Sequence, residues 1–175
     1  MSKHLERLNN IYWSFSKKYY NTVEEFKKDI EEYNISCENE KEWRLDELVV
    51  NEPKIEMQYM AWVHPEDILP NEELMEDDDI FEEEPDDDEY GYQVELAATL
   101  LPDNGKSFLG YELLMKVHNQ QANKELGDHV FYEGTEIERG ENVKFNGKID
   151  RTLSRIAFIP GKNSAISCRN ESEFG

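Results

Sequence analysis

The sequence predicts an α+β fold: a mainly antiparallel sheet of about 5–7 strands, two principal helices packed on one of its faces, and a long acidic loop. Three observations support this prediction. Two segments have helical periodicity, several have the alternation of strands, and Asn146-Gly147 is a two-residue hairpin signal. A doubly wound parallel sheet would need a helix between most of its strands, and the sequence has too few helical segments for that.

The first helix is predicted over residues 21–33. Thr22 and Glu25 have the spacing of a capping box, in which the hydroxyl and the carboxylate each satisfy a free amide of the first turn. Asn34 is the predicted C-cap. One face of this helix is apolar, formed by Val23, Phe26, Ile30 and Tyr33.

The second helix is predicted within residues 107–127, and an apolar strand follows it at 130–132. Ser107 is the predicted N-cap, because its hydroxyl can accept hydrogen bonds from the first-turn amides. Gly127 suits the left-handed residue that ends a helix. The apolar side of this helix includes Leu113, Leu114 and Val117.

Alternating apolar residues predict strands at 54–63 and 92–100, and aromatic residues predict another at 11–20. The residues at 43–50 form a further predicted strand, joined to 54–63 as an antiparallel hairpin. Residues 143–145 and 148–150 form a second predicted hairpin, and 153–159 is the last strand. On the outer face of the 54–63 strand, Met60 and Trp62 predict that this end is covered by a helix or by a partner.

The net charge of −21 is concentrated in one part of the chain. Residues 66–89 contain 15 acidic residues and neither Lys nor Arg, and the wider range 55–105 also contains neither. Nucleic acids and anionic membrane surfaces are bound through clustered Lys and Arg, so both classes of partner are excluded. We predict that 66–89 is a mobile loop outside the core, because its few apolar residues cannot offset the entropy of ordering.

The alternating carboxylates of this loop also raise the hypothesis of a calcium site. Asp86, Asp88 and Gly91 match the first half of an EF-hand loop. Tyr90 stands at the fifth ligand position, however, and Ala97 replaces the bidentate Glu at the twelfth. The sequence therefore predicts neither a metal nor another cofactor.

Catalytic residues are considered at one place. His118 lies late on the second helix and Asp128-His129 follow the Gly127 turn, so they could converge as a general base or a metal site. The spacing of the two histidines matches no metal-ligand pattern, and a His near a helix C-terminus is favoured by the dipole alone. We therefore expect these residues to have a structural role. A small hydrolase or metal-dependent enzyme using His118, Asp128 and His129 remains the alternative.

Chain length predicts a single domain over residues 1–175, with 161–175 as a loose C-terminal tail. The two cysteines, Cys37 and Cys168, have no CxxC spacing and are expected to be reduced thiols. The N-terminal residues lack the apolar region of a secretory signal. These features predict a cytoplasmic protein.

The function expected from this pattern is that of a non-enzymatic acidic protein that captures or neutralises a basic protein partner. The most concrete version is an immunity or inhibitor role, a comparison that depends on size class and charge rather than on a motif. A structural subunit of an assembly is a further alternative. The predicted partner-binding residues are six aspartates and two apolar anchors: Asp77, Asp78, Asp79, Asp86, Asp87, Asp88, Trp62 and Phe81.

Overall fold

The structure is a computed structural model that describes residues 8, 11–39, 43, 45–75, 77–127, 130–138, 144–145, 148–149 and 154–161. Within these residues the predicted α+β class is confirmed, since two helices accompany antiparallel sheets. The helices are α1 (Val23–Ser36) and α2 (Gly110–Gln121). The strands are β1 (Leu48–Val50), β2 (Ile55–Val63), β3 (Glu72–Leu74), β4 (Tyr92–Leu100), β5 (Phe108–Leu109), β6 (Phe131–Glu138), β7 (Lys144–Phe145), β8 (Lys148–Ile149) and β9 (Ser154–Gly161).

The main sheet of the described chain has five strands in the order β3-β4-β2-β9-β6. The β2–β4 pair is antiparallel and runs without interruption from Ile55 opposite Leu100 to Val63 opposite Tyr92. The alternation predicted for both strands is confirmed, because every second residue of each strand, on their shared inner face, is buried. The pairing of β2 with β9 is parallel, whereas β9 pairs with β6 in the antiparallel direction. The predicted hairpin around residues 146–147 is present as the β7–β8 pair.

The hairpin predicted between 43–50 and 54–63 is wrong. β1 pairs with β5, and the two edges of β2 are occupied by β4 and β9 instead. The competing pair explains the difference: β4 offers nine residues in register with β2, whereas β1 has only three residues. The longer pairing buries more apolar surface and satisfies more backbone groups.

Residues 11–20 run extended but do not form the predicted strand. Phe15 N donates to Val130 O at 2.7 Å, and Tyr132 N donates to Trp13 O at 3.0 Å, so the contact with the start of β6 is brief. Trp13, Phe15 and Tyr20 are buried. The segment is held mainly by these aromatic side chains, which pack in the interior rather than along a ladder of hydrogen bonds.

The helix α1 begins where predicted, and the Thr22 hydroxyl accepts a hydrogen bond from Glu25 N at 3.2 Å. It ends later than predicted: Cys37 is the C-cap, and Asn34, the predicted cap, lies inside the helix. The buried Asn34 side chain accepts from Tyr12 N at 2.8 Å and donates to Tyr12 O at 2.9 Å. This exchange fixes the extended segment against α1.

The helix α2 begins at Gly110 with Leu109 as N-cap, so the predicted Ser107 cap is wrong. Backbone carbonyls replace the side-chain cap: Gly110 N donates to Glu47 O at 3.1 Å and Tyr111 N donates to Leu45 O at 2.9 Å. Gly127 has the predicted left-handed conformation, with φ of 64°, but it lies six residues beyond the end of α2.

Candidate functional site

His118 is fully buried at 0% exposure, near the end of α2. Trp13 Nε1 donates to His118 Nδ1 at 3.0 Å, which makes Nδ1 an acceptor. His118 Nε2 therefore carries the proton and donates to Lys18 O at 2.7 Å. The imidazole is surrounded by aromatic rings with centroids 5.1 to 6.1 Å away, those of Trp13, Phe15, Tyr20 and Phe26.

This environment suits a structural histidine. Both ring nitrogens are engaged, and burial lowers the pKa of His118, so the ring is neutral and neither nitrogen is available to a substrate or a metal. The other two members of the hydrolase hypothesis, Asp128 and His129, lie outside the described residues. Where side chains are described, the chain has no group of three or more His, Cys, Asp and Glu that could hold a metal ion.

The burial of His118 predicts a loss of stability in acid. The folded pKa lies below the unfolded value of about 6.5, so the unfolded chain binds more protons between these two values. The contribution of His118 to the free energy of unfolding should therefore be constant above about pH 6.5 and decrease as the pH falls toward the folded pKa. Denaturant titrations of the wild type and of His118→Gln test this. The difference in free energy of unfolding between the wild type and His118→Gln should shrink as the pH falls through that range. The same pH dependence in both proteins would contradict a buried, neutral His118.

The acidic segment (residues 66–89) lies at one edge of the main sheet. Although it was predicted as a loop, it contains β3, which is the edge strand, and a short 3-10 helix at Asp78–Glu82; another 3-10 helix, Pro65–Asp67, overlaps its start. Sequence analysis missed β3 because its three residues carry two carboxylates and have no apolar alternation. A short, charged edge strand also resists pairing with other chains. Mobility of the segment remains a prediction.

A buried ion pair anchors the start of the acidic segment. Lys124 Nζ lies 2.9 Å from Glu72 Oε1, and both side chains are 0% exposed. Leu69 N and Gln120 Nε2 each donate to the Glu72 carboxylate at 2.9 Å, and the Tyr59 hydroxyl donates to it as well. Burial and the neighbouring Glu72 charge raise the pKa of Tyr59, so its hydroxyl remains a donor. These contacts tie β3 to β2 and to the end of α2.

Aromatic packing and backbone hydrogen bonds hold the other end of the segment. The rings of Phe81 and Tyr92 meet edge to face at 5.0 Å, and the Tyr92 hydroxyl donates to Glu83 O at 2.7 Å. Asp87 and Gly91 exchange backbone hydrogen bonds at 2.9 and 3.0 Å, which closes a tight turn before β4. The acidic segment is therefore connected to the core on both sides.

The predicted partner-binding aspartates fall into different groups. Asp77, Asp79 and Asp88 are exposed, whereas the side chain of Asp78 is outside the described part of the structure. Asp86 accepts from Gln93 N at 3.0 Å, and Asp87 accepts from Glu89 N at 2.8 Å. These last two carboxylates stabilise the turn, a role that repeated aspartates in the sequence do not distinguish from surface charge.

The two predicted anchors are both half-buried. Phe81 packs on Tyr92, as described above. The backbone of Trp62 donates to Glu125 O at 2.7 Å, and its indole lies next to Gly127. The end of the β2 outer face is thus partly covered by the non-helical chain that follows α2, whereas a helix or a partner was predicted there.

A cleft of about 610 Å³ lies between α2, the end of β4 and residues 19–21. Tyr19 and Leu101 at this cleft are exposed. Amide side chains line it, but they already bond to the protein: Asn119 Nδ2 donates to Tyr20 O at 2.8 Å, and Asn71 Nδ2 donates to Gln120 Oε1 at 2.9 Å. Sequence analysis missed the cleft because its walls come from separate segments with no shared motif.

Comparisons with protein-family models, with curated proteins and with solved structures found no match to this chain. Neither of the described helices is long and apolar enough to cross a membrane. Evidence on function therefore comes from the geometry and charge of the chain itself.

Proposed function

We propose that this protein is a non-enzymatic binding protein that captures a basic protein partner through its acidic segment, with an immunity-like or inhibitor role. One observation carries the proposal: Asp77, Asp79 and Asp88 are exposed on a segment that the Glu72–Lys124 pair and the Phe81–Tyr92 contact connect to the core. The exposed carboxylates therefore belong to a segment that contacts the core at both ends, and not to a free tail.

The electrostatics favour rapid encounter with a cation-rich surface. Carboxylates concentrated on one edge produce a directional field, which reaches about 8 Å at physiological salt. Such a field raises association rates, while exposed charges contribute less to the lifetime of the complex. Phe81, half-buried within the segment, supplies apolar area that a partner can cover.

A charge-neutralised variant tests this function. Asp77→Asn/Asp79→Asn/Asp88→Asn removes three exposed charges and leaves the turn carboxylates of Asp86 and Asp87 in place. The partner is a protein retained from a native lysate at low salt and released at high salt, then purified. Its association rate with the variant should fall at least about tenfold, with a smaller change in dissociation.

The matched control removes the same number of exposed charges from and just beyond α1: Glu25→Gln/Glu32→Gln/Glu38→Gln. Its association rate should stay within about twofold of the wild type, since those charges are not part of the acidic segment. Equal rates for the wild type and the aspartate variant would refute acidic capture. Equal slowing by both variants would show that net charge, and not this edge of the sheet, determines encounter.

A further inference from the structure

A second recess, of about 440 Å³, lies where α1 begins and where β5 passes into α2. Its apolar lining comes from Val23, Leu45, Leu109 and Tyr111. Leu109 is 44% exposed, an unusual position for a large aliphatic side chain. This recess shares no residue with the acidic segment.

Carboxylates outnumber cations around this recess. Among the described residues that line it, Glu24, Asp46, Asp103 and Glu112 face a single lysine, Lys27. Lys27 Nζ is itself 3.1 Å from Asp46 Oδ1, and Lys116 Nζ, beside the recess, lies 2.8 Å from Asp103 Oδ1, so four carboxylates are balanced by only two lysines. The lining therefore carries an excess of negative charge that a cationic occupant would neutralise.

Glu112 is the most enclosed of these carboxylates, at 8% exposure. Within the described structure its contacts use Oε2, which accepts from Asp103 N at 2.6 Å and lies 3.5 Å from Lys116 Nζ. Its other oxygen, Oε1, forms no hydrogen bond with the described residues, so the carboxylate can be shared between Lys116 and a cation that enters the recess. A carboxylate withdrawn from water interacts with a cation more strongly than an exposed one does.

The recess already accommodates one cation of its own chain. Lys27 Nζ lies 5.3 Å from the centroid of the Tyr111 ring, a cation–π distance, while its head group pairs with Asp46. An aliphatic cation from outside would meet the same combination: its methylene stem would contact Val23 and the exposed Leu109, and its charged head would meet carboxylates.

We propose that this recess binds an arginine side chain presented by the basic protein partner. Its carboxylates come from separate positions, and a planar guanidinium with five donors can bond to several of them at once. Lysine has a more strongly hydrated head group and is less suited to an apolar recess. The inference takes its partner class from the proposed function, but it concerns a separate surface of the protein.

The experiment uses N-acetyl-arginine amide as the probe, titrated over the millimolar range into the isotope-labelled full chain and followed by amide NMR shifts. Saturable shifts are expected at Leu45, Leu109 and Tyr111. The matching citrulline amide, which has nearly the same shape without the charge, should bind at least about tenfold more weakly. Equal binding of the two probes, or the absence of saturable shifts at these residues, would overturn the proposal.

Two variants make the assignment specific. Glu24→Gln/Asp46→Asn should weaken probe binding about three- to tenfold, because it removes two exposed carboxylates at the recess. Asp77→Asn/Asp79→Asn/Asp88→Asn should leave probe binding unchanged, so acidic capture can fail without affecting this result. Arg44, next to Leu45 in sequence, lies outside the described residues. Probe binding that appears only in Arg44→Ala would mean that the chain fills the recess itself, and would overturn the proposal.

Discussion

Lys124→Met is expected to destabilise the protein by about 3–5 kcal/mol, because it leaves the buried Glu72 carboxylate without its cation. The methionine side chain has nearly the same volume as the lysine stem, so the loss is electrostatic rather than a matter of packing. Denaturant unfolding followed by tryptophan fluorescence measures the change. A loss below about 1 kcal/mol, the range of an exposed pair, would contradict the burial of this ion pair.

Two further variants separate the charge from the side chain. Lys17→Met removes the exposed partner of Glu125, whose carboxylate lies 3.4 Å away, and should change stability by no more than about 1 kcal/mol. Glu72→Gln/Lys124→Met removes both charges and should recover part of the stability lost in the single variant. If the double variant is no more stable than Lys124→Met, the side chain of Lys124 stabilises the protein through packing and not through its charge.

The position of this ion pair connects stability with the proposed function. Glu72 belongs to β3, the strand from which the acidic segment continues, and Lys124 follows α2. Loss of the pair would release the start of the acidic segment before it unfolded the rest of the protein. We therefore expect hydrogen exchange in Lys124→Met to rise first at residues 69–75.

Gly91→Ala is the second substitution with a large expected effect, about 3–4 kcal/mol of destabilisation. Gly91 has φ of 89°, where a residue with a side chain is strained by about 1–2 kcal/mol. An added methyl group would also lie against the Val63 carbonyl oxygen and 2.9 Å from His64 Nδ1. Backbone atoms cannot move aside, so overpacking adds about 1–3 kcal/mol.

Gly105→Ala is the matched control for this prediction. Gly105 also has a positive φ, of 74°, but an added methyl group would meet no atom within 4 Å. Its substitution should involve the backbone strain alone, about 1–2 kcal/mol. The free energies of unfolding of Gly91→Ala and Gly105→Ala, measured by thermal or denaturant unfolding, should differ by the steric cost at Gly91. Equal losses would contradict the close approach of Gly91 to the end of β2.

The main features of local structure were predictable from the sequence, for identifiable reasons. The inner face of β2 and β4 follows from strict alternation, and the start of α1 follows from the Thr22 cap. The β7–β8 pair was predictable because an Asn-Gly sequence favours a tight turn between two antiparallel strands. Each of these signals lies within about ten residues of chain, where side-chain periodicity and backbone preference act directly.

The candidate sites were less predictable because their residues come from distant segments. The sequence places aspartates at 86 and 87, but only the structure shows that these two accept hydrogen bonds from backbone amides of β4 and of the turn before it. From the sequence, His118 was a candidate catalytic residue. The structure shows instead that it accepts a hydrogen bond from Trp13, which lies 105 positions away in the chain. Such long-range partners leave no periodic trace in the sequence.

By itself, the sequence determined the fold class, the acidic character of residues 66–89 and the residues that point inward on β2, β4 and α1. Tertiary structure alone decided that β1 pairs with β5, that β3 forms the sheet edge and that Lys124 is buried against Glu72. The physical reason is that strand partners and buried ion pairs are selected by competition among distant segments. The winning arrangement buries the most apolar surface while leaving the fewest polar groups unsatisfied.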